Sequence, residues 1–244
     1  LKDFLAGAGC LLAGLKLLPV RGVRWYVVIP ALVNILLFTL AILLTRQWVA
    51  ALVERWVPES WGWIEPVIWL IFALLVVLVL FFGFILVGNL IGAPFNGLLS
   101  EAIERYLTDQ EIAGFGWRQL AAEVGYAVLG ELRKFAYFAL LALPCLILLL
   151  IPGLNTLFPL VWFFLTAWML SLEYLDYPAG NHQVRFKRLR GELKRNRLRA
   201  LGLGVAILIV TAIPIVNFIA MPVGVAAATV YWLRFSTSGK TPAV

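Results

Sequence analysis

Phe135 to Leu172 reads FAYFALLALPCLILLLIPGLNTLFPLVWFFLTAWMLSL, 38 consecutive residues without a charge. A helix crossing a bilayer core of about 30 Å needs only about 20 apolar residues at about 1.5 Å each. The run is therefore too long for one crossing. Pro152 and Gly153 stand at its middle, where proline removes a backbone donor and glycine permits a tight reversal. Ala200 to Leu233 repeats the problem, with 34 uncharged residues and Pro214 near the centre. Cut at these prolines, the runs give pieces of roughly 13 to 19 residues, or about 20–28 Å of helix. Helical hairpins that dip into the membrane and return fit that length better than pairs of full spans. Their non-helical tips would need cover from protein or a water-filled cavity.

The two hairpins also resemble each other. Ile151-Pro152-Gly153-Leu154-Asn155 is matched by Ile213-Pro214-Ile215-Val216-Asn217, at an offset of 62 residues. A second proline (Pro159, Pro222) and a tryptophan (Trp168, Trp232) follow in each. This is a weak repeat of the kind found in transporters built from broken helices; the alternative is that Ile-Pro recurs wherever a membrane helix breaks. Two further runs are simpler. Residues 26–45 and 67–93 carry no charge and read as full spans, the second tilted or overlong, with a helix break expected at Gly92-Ala93-Pro94. The fold class expected is an all-α integral membrane protein: two full transmembrane helices, two proline-broken, half-penetrating hairpins (135–172 and 200–233) and interfacial amphipathic helices. Residues 1–244 would form a single membrane domain.

Composition agrees. Of 244 residues 63% are hydrophobic and 14% charged, far from the ~45–50% apolar content of soluble domains. The net charge of +7 gathers in few polar stretches, which argues for anionic lipid or an anionic solute as partner and against nucleic acid. With both hairpins returning, one side of the membrane holds 18 basic residues, whereas the 46–66 loop on the other holds Arg46 and Arg55. The positive-inside rule puts the bulk in the cytoplasm. Six short full spans would give the same sidedness. Trp48, Trp56, Trp61 and Trp63 in the outer loop suit an interfacial belt.

Amphipathic segments join the spans. After Asn96, Leu98, Leu99, Ala102, Ile103, Tyr106 and Leu107 recur at helical spacing, leaving Glu101, Glu104, Arg105 and Asp109 for the opposite face. Residues 185–199 carry eight basic residues around Phe186, Leu189 and Leu193. They read as a surface helix on an anionic leaflet, or else as a vestibule that attracts solute.

Few residues offer chemistry. Cys10 and Cys145 sit in apolar runs without metal-ligand spacing and read as packing residues, and no phosphate loop, dinucleotide fingerprint or nucleophile elbow occurs. No cofactor, metal or enzymatic activity is expected, since the single histidine has no identifiable partner and neither cysteine a charged neighbour in sequence. His182 reads as a surface residue rather than a proton relay. The chain opens on Leu1 rather than methionine, from which an earlier start is expected and a signal peptide cannot be judged.

Anion binding has three candidate locations. Arg21-Gly22-Val23-Arg24 precedes the first span, where a helix N-terminus offers backbone N–H groups and partial positive charge, and two guanidinium groups and a glycine could complete an oxyanion site. An ordinary positive-inside anchor is the competing reading. Asn155 and Asn217 could cap the returning half-helices and aim positive dipole ends at the membrane interior. Glu101, Glu104 and Arg105, next to a broken membrane helix, could face a water-filled path, or form the solvated face of an interfacial helix.

Three segments together carry a resemblance: Ile29-Pro30-Ala31-Leu32-Val33-Asn34, Ala93-Pro94-Phe95-Asn96-Gly97-Leu98-Leu99-Ser100-Glu101 and Asp176-Tyr177-Pro178-Ala179-Gly180-Asn181-His182. With the Ile-Pro turns they resemble the bacterial CysZ sulfate permease family over about Gly14 to Arg234. The resemblance implies an inner-membrane, multi-pass homo-oligomer that passes sulfate inward for cysteine synthesis. It implies a sulfate site at Gly22, Val23 and Arg24, with Arg21 as the other guanidinium; relatives with two adjacent arginines differ from the Arg24-Trp25 found here. The conduction path it implies runs along Glu101, Glu104 and Arg105, with Asn34, Asn96, Asn155 and Asn217 as further candidates. A reading from another class is a non-transporting membrane adaptor or lipid-organising protein using its basic helix.

Overall fold

The computed structural model describes residues 1–56, 62–109 and 117–237. Among these the chain is helical, without strands. The helices are α1 (Lys2–Leu17), α2 (Trp25–Trp56), α3 (Glu65–Thr108), α4 (Trp117–Ile147), α5 (Phe158–Asn181), α6 (Phe186–Arg195), α7 (Arg197–Thr211) and α8 (Pro214–Phe235). Three stretches among the described residues are long and apolar enough to cross a membrane: Trp25–Ala51, Gly130–Leu150 and Leu154–Asn181.

The helices outrun the uncharged segments. The span expected at 26–45 lies inside α2, which continues past Arg46, because one arginine at a water boundary can snorkel without ending a helix. The break expected at Gly92-Ala93-Pro94 is absent, and α3 runs through it for 44 residues. Proline forfeits one backbone bond, but opening the helix in apolar surroundings would strand several polar groups.

Both hairpin turns fall at the Ile-Pro pairs. Ile151 (φ −100°, ψ 112°) and Ile213 (φ −92°, ψ 111°) have the same extended backbone, since a following proline disfavours the helical region. Each isoleucine carbonyl accepts the backbone N–H of the asparagine four residues on, Asn155 at 3.2 Å and Asn217 at 2.8 Å. The repeat is thus visible in the backbone. The first turn adds short 3-10 stretches at Leu148–Leu150 and Leu154–Leu157 and reverses at Gly153, whose φ of 86° favours glycine.

The expected asparagine caps are a correction. Leu157 and Ile213 occupy the cap positions of α5 and α8 without side-chain cap bonds, and the Asn155 and Asn217 side chains are exposed. A proline in the first turn of each helix fixes where it starts. Both asparagines consequently fall away from the cap, and each contributes its backbone N–H instead.

Two compact units emerge, one of Trp25–Phe95 and one of Leu1–Arg24 with Asn96 onward. The first contains α2 and the beginning of α3. Its leucines are largely uncovered within the chain, as Leu36 (67%) and Leu74 (62%) illustrate, which suits contact with lipid. Trp48 and Trp63 are likewise exposed; the Trp56 and Trp61 side chains lie outside the described residues.

The second unit has the core. In it α1 and α5 both pack on α7 and α8. Glycines make this possible: a Cβ on Gly7 or Gly202 would collide with backbone across the α1–α7 contact, one on Gly14 with Ala227 of α8, and one on Gly204 with Ala167 of α5. Small residues at helix crossings maximise backbone approach where lipid supplies no hydrophobic drive between helices. Ser171 then donates from its Oγ to the Ala200 carbonyl across the α5–α7 crossing. The basic segment 185–199 is not one helix, because Asn196 (φ −116°, ψ 42°) separates α6 from α7. Leu189 and Leu193 of α6 are buried, as their spacing predicts.

Candidate functional site

The last turns of α3 enter the second unit as Asn96–Thr108. Here the amphipathic reading inverts in part. Leu99, Ala102 and Ile103 are buried as expected, but so are Asn96 (6%), Ser100 (0%), Glu101 (8%) and Glu104 (4%), while Tyr106 and Leu107 are exposed. Asn96, Gly97 and Ser100 have partners on other helices. Asn96 Nδ2 donates to the Tyr177 hydroxyl at 3.3 Å, Asn181 Nδ2 donates to the Gly97 carbonyl at 3.2 Å, and Ser100 Oγ lies 2.8 Å from Thr229 Oγ1. Glu101 Oε1 accepts from Arg105 at 2.6 Å. Glu104 Oε1 meets His182 Nε2 at 2.6 Å, and the imidazole stacks on Trp232 with ring centroids 5.8 Å apart.

His182 is therefore no surface residue; its side chain is 12% exposed and holds a buried carboxylate. Its position has a local cause. The α5 helix ends at Asn181, Gln183 takes a positive φ of 54°, and the Val184 N–H folds back onto the Ala179 carbonyl at 2.8 Å. This tight exit turns the ring toward α3 and α8. Some polar capacity is unused: among the described residues Glu104 Oε2, Trp232 Nε1 and Tyr231 Oη are buried without a hydrogen-bond partner. Such atoms are costly to bury dry and mark a place for water or solute.

A second charged group lies on the α4–α5 pair. Lys134 is buried, and its Nζ lies 2.5 Å from Glu131, 3.0 Å from Asp176 and 3.4 Å from Glu173. Asp176 precedes Tyr177, so this cluster adjoins the α3 contacts in sequence. Sequence reasoning missed Lys134, Ser100, Thr229 and Trp232. The available signal was a lone lysine at the edge of a long apolar run, followed by two carboxylates three residues apart near the end of the returning helix.

The arginine segment stands where the sequence places it, with α2 beginning at Trp25. Arg21, Gly22 and Arg24 are exposed, whereas the Val23 side chain is fully buried. The N–H groups of Val23 and Arg24 both donate to the Val20 carbonyl at 2.9 Å, so these two are committed within the loop. A Cβ on Gly22 would meet nothing within 4 Å, so packing within the chain does not require glycine there. Asn34 lies in α2, and its side chain is outside the described residues. The Asn155 and Asn217 side chains are exposed at the hairpin turns. Nor do the described residues contain a group of His, Cys, Asp and Glu able to hold a metal ion.

The thiols remain packing groups, with one addition. Arg234 lies beside Cys10 and would favour the thiolate, but burial is the larger effect and pushes the thiol up to about 11.

Two of the three segments that carried the resemblance, 93–101 and 176–182, thus meet in space. The family described as "Sulfate transporter CysZ/Etoposide-induced protein 2.4" matches residues 10–222. The chain belongs to this family. Among its relatives, the sulfate transporter CysZ of Pseudomonas paraeruginosa is 37% identical over 235 residues, covering 94% of this chain and 95% of the relative. The sulfate transporter CysZ of Vibrio parahaemolyticus is 37% identical over 231 residues, 93% and 94% of the two chains. That of Pectobacterium atrosepticum is 35% identical, covering 93% of this chain and 84% of its own.

Proposed function

We propose that this protein is a sulfate permease or channel of the bacterial inner membrane that admits sulfate for cysteine biosynthesis and works as a homo-oligomer. The observation that carries the reading is the buried polar cluster of Asn96, Ser100, Glu104 and His182 in a family whose relatives bear the name sulfate transporter. Ionisable groups buried in an apolar helical protein are expensive and line solute paths more often than they serve packing. Here each carboxylate has a partner: Arg105 pairs with Glu101 and the His182 ring nitrogen meets Glu104. Asn96, Ser100 and Thr229 add amide and hydroxyl groups to the same cluster.

Recognition belongs to Arg21 and Arg24, both exposed at the approach to α2, with Gly22 leaving room for the anion. Since Val23 offers neither its side chain nor its N–H, the guanidinium groups and the Gly22 backbone carry the site. The path then includes Asn34, Asn96, Glu101, Glu104 and Arg105, with Asn155 and Asn217 at the hairpin tips. Exposed basic residues of α6 rest on anionic lipid.

The layout of two spans and two half-penetrating hairpins draws support from helix length. With 15 residues α7 reaches only about 22 Å. In the first hairpin, Lys134 and its three carboxylates hold the base near water, which leaves roughly 24 Å of uncharged helix up to the turn. Both fall short of a core of about 30 Å, although the returning limbs α5 and α8, of 24 and 22 residues, are long enough to cross it.

Purified protein in liposomes should take up radiolabelled sulfate, and flux no greater than that of empty vesicles would sink the proposal. Arg24→Ala and Arg21→Ala should each weaken sulfate binding, and the larger loss identifies the gripping guanidinium. Gly22→Ala is the sharper test, because the chain has room for the methyl group: unchanged melting with reduced sulfate affinity is expected, whereas unchanged affinity would remove Gly22 from the site.

A further inference from the structure

We propose that one anionic phospholipid docks in a groove beside α1, its acyl chains on leucines of α1, α3 and α8 and its phosphate between Lys16 and Arg234. The groove has a volume of about 770 Å³, inside the ~300–1,000 Å³ range of ligand sites. Its walls are Leu12 and Leu17 of α1, Leu107 of α3, and Val230 and Leu233 of α8, and the small residues Gly9 and Ala13 also line it. Leu12 is 64% and Leu107 45% exposed, so the chain itself leaves these walls uncovered. From Leu12 the apolar strip continues along α1 through Leu5 and Leu1, 59% and 89% exposed, at helical spacing.

Charge selects the occupant. Lys16 and Arg234 line the groove, are exposed and occupy the last turns of α1 and α8. The C-terminal ends of α1, α3 and α8 border the groove and each carries about half a negative charge, so two full cations leave about half a positive charge over, which favours an anionic headgroup. Arg105, the cation of the last turn of α3, is engaged by Glu101 and does not line the groove. Asp109, just beyond Thr108, is exposed and also outside the lining. The aliphatic stems of Lys16 and Arg234 extend the apolar wall while their heads reach water. Apolar wall below and paired cations above match a phospholipid with a singly charged headgroup. None of the basic residues of α6 contributes, so this site differs from a leaflet contact through that helix.

The test is native mass spectrometry of the full chain in mild detergent with phosphatidylglycerol or phosphatidylcholine of identical acyl chains. Phosphatidylglycerol should be retained at least fivefold more than phosphatidylcholine. Lys16→Gln with Arg234→Gln should abolish that preference, and Leu107→Trp, which fills the groove, should reduce retention of both lipids. Arg234→Lys should keep the preference, and melting temperatures measured without lipid identify any variant that fails to fold. Neutralising Arg185, Lys187, Arg188 and Lys194 removes the separate leaflet contact through α6, and the phosphatidylglycerol preference that depends on Lys16 and Arg234 should persist. The proposal is overturned by equal retention of the two lipids, by loss only on neutralising α6, or by inorganic phosphate displacing the lipid at equal concentration. A lipid-independent crosslink between copies carrying Leu107→Cys would assign the groove to a second copy and also overturn it.

Discussion

His182 and Glu104 form the contact on which most of the site turns. Replacing His182 by Ala removes the 2.6 Å hydrogen bond and the stacking on Trp232 together, leaving Glu104 buried without its partner. Leaving a buried hydrogen-bonding group unsatisfied costs about 1–3 kcal/mol, so His182→Ala should lower stability by at least that order in denaturant titrations. The paired replacement Glu104→Leu with His182→Leu should recover a good part of it. If the single change is neutral, the pair does not hold α3 to α5. Cys10 gives a second test at this scale. With its thiol raised to about 11, roughly one molecule in a thousand is ionised at pH 8, so maleimide should label it only after unfolding. Rapid labelling of the folded protein would mean that α1 leaves its seat. Neither property was legible beforehand, since Cys10 meets Arg234, and Glu104 meets His182, from distant parts of the chain.

Among the elements, the α4–α5 hairpin was the most legible. Uncharged length, Ile-Pro and a glycine define a turn by local rules, and the backbone follows them. Gly153→Ala should cost about 1–2 kcal/mol, because a Cβ at φ of 86° strains the turn, and a matching fall in melting temperature would be the readout. The base of the hairpin depends on Lys134. Lys134→Met should destabilise strongly by leaving three carboxylates facing one another, whereas Glu131→Gln, at a side chain 65% exposed, should be nearly neutral. Equal effects of the two would show that the cluster is not organised by its lysine. Periodicity failed at the end of α3 for a physical reason. It assigns charged residues to water by default, whereas Glu101 is covered by Arg105 one turn along α3 and Glu104 by His182, just past α5. The asparagine caps failed because a proline in the first turn determines where each returning helix begins.

For the whole molecule, composition and the positive-inside count lead to a membrane protein, and the helices fit that class. The family was also legible, because its motifs are contiguous in sequence and two of them converge around α3. The proposed sulfate site at Arg21–Arg24 was named from sequence as a location, without the contacts its loop makes. Which N–H groups are committed within the 18–24 loop depends on turn geometry that spacing does not encode. Orientation can be read directly. Single cysteines introduced at Arg46 and at Arg195 should label from opposite sides of intact cells, with Arg195 accessible only after permeabilisation. Labelling of both from one side would overturn the sidedness argued from charge.

The seating of α1 on α7 and α8 bears on how the protein is made. Arg199 reaches Asp3 at 2.6 Å across 196 residues of chain, so α1 emerges long before its partners exist. At a synthesis rate of about 5–20 residues per second, the interval is roughly 10 to 40 seconds. Throughout it, the glycine face of α1 has no mate, and the leucines on its other side invite the membrane surface or a chaperone to hold it. The last helix completed therefore closes the fold, and chains released before Ala227 should be left with a loose N-terminal helix that cellular proteases can seize.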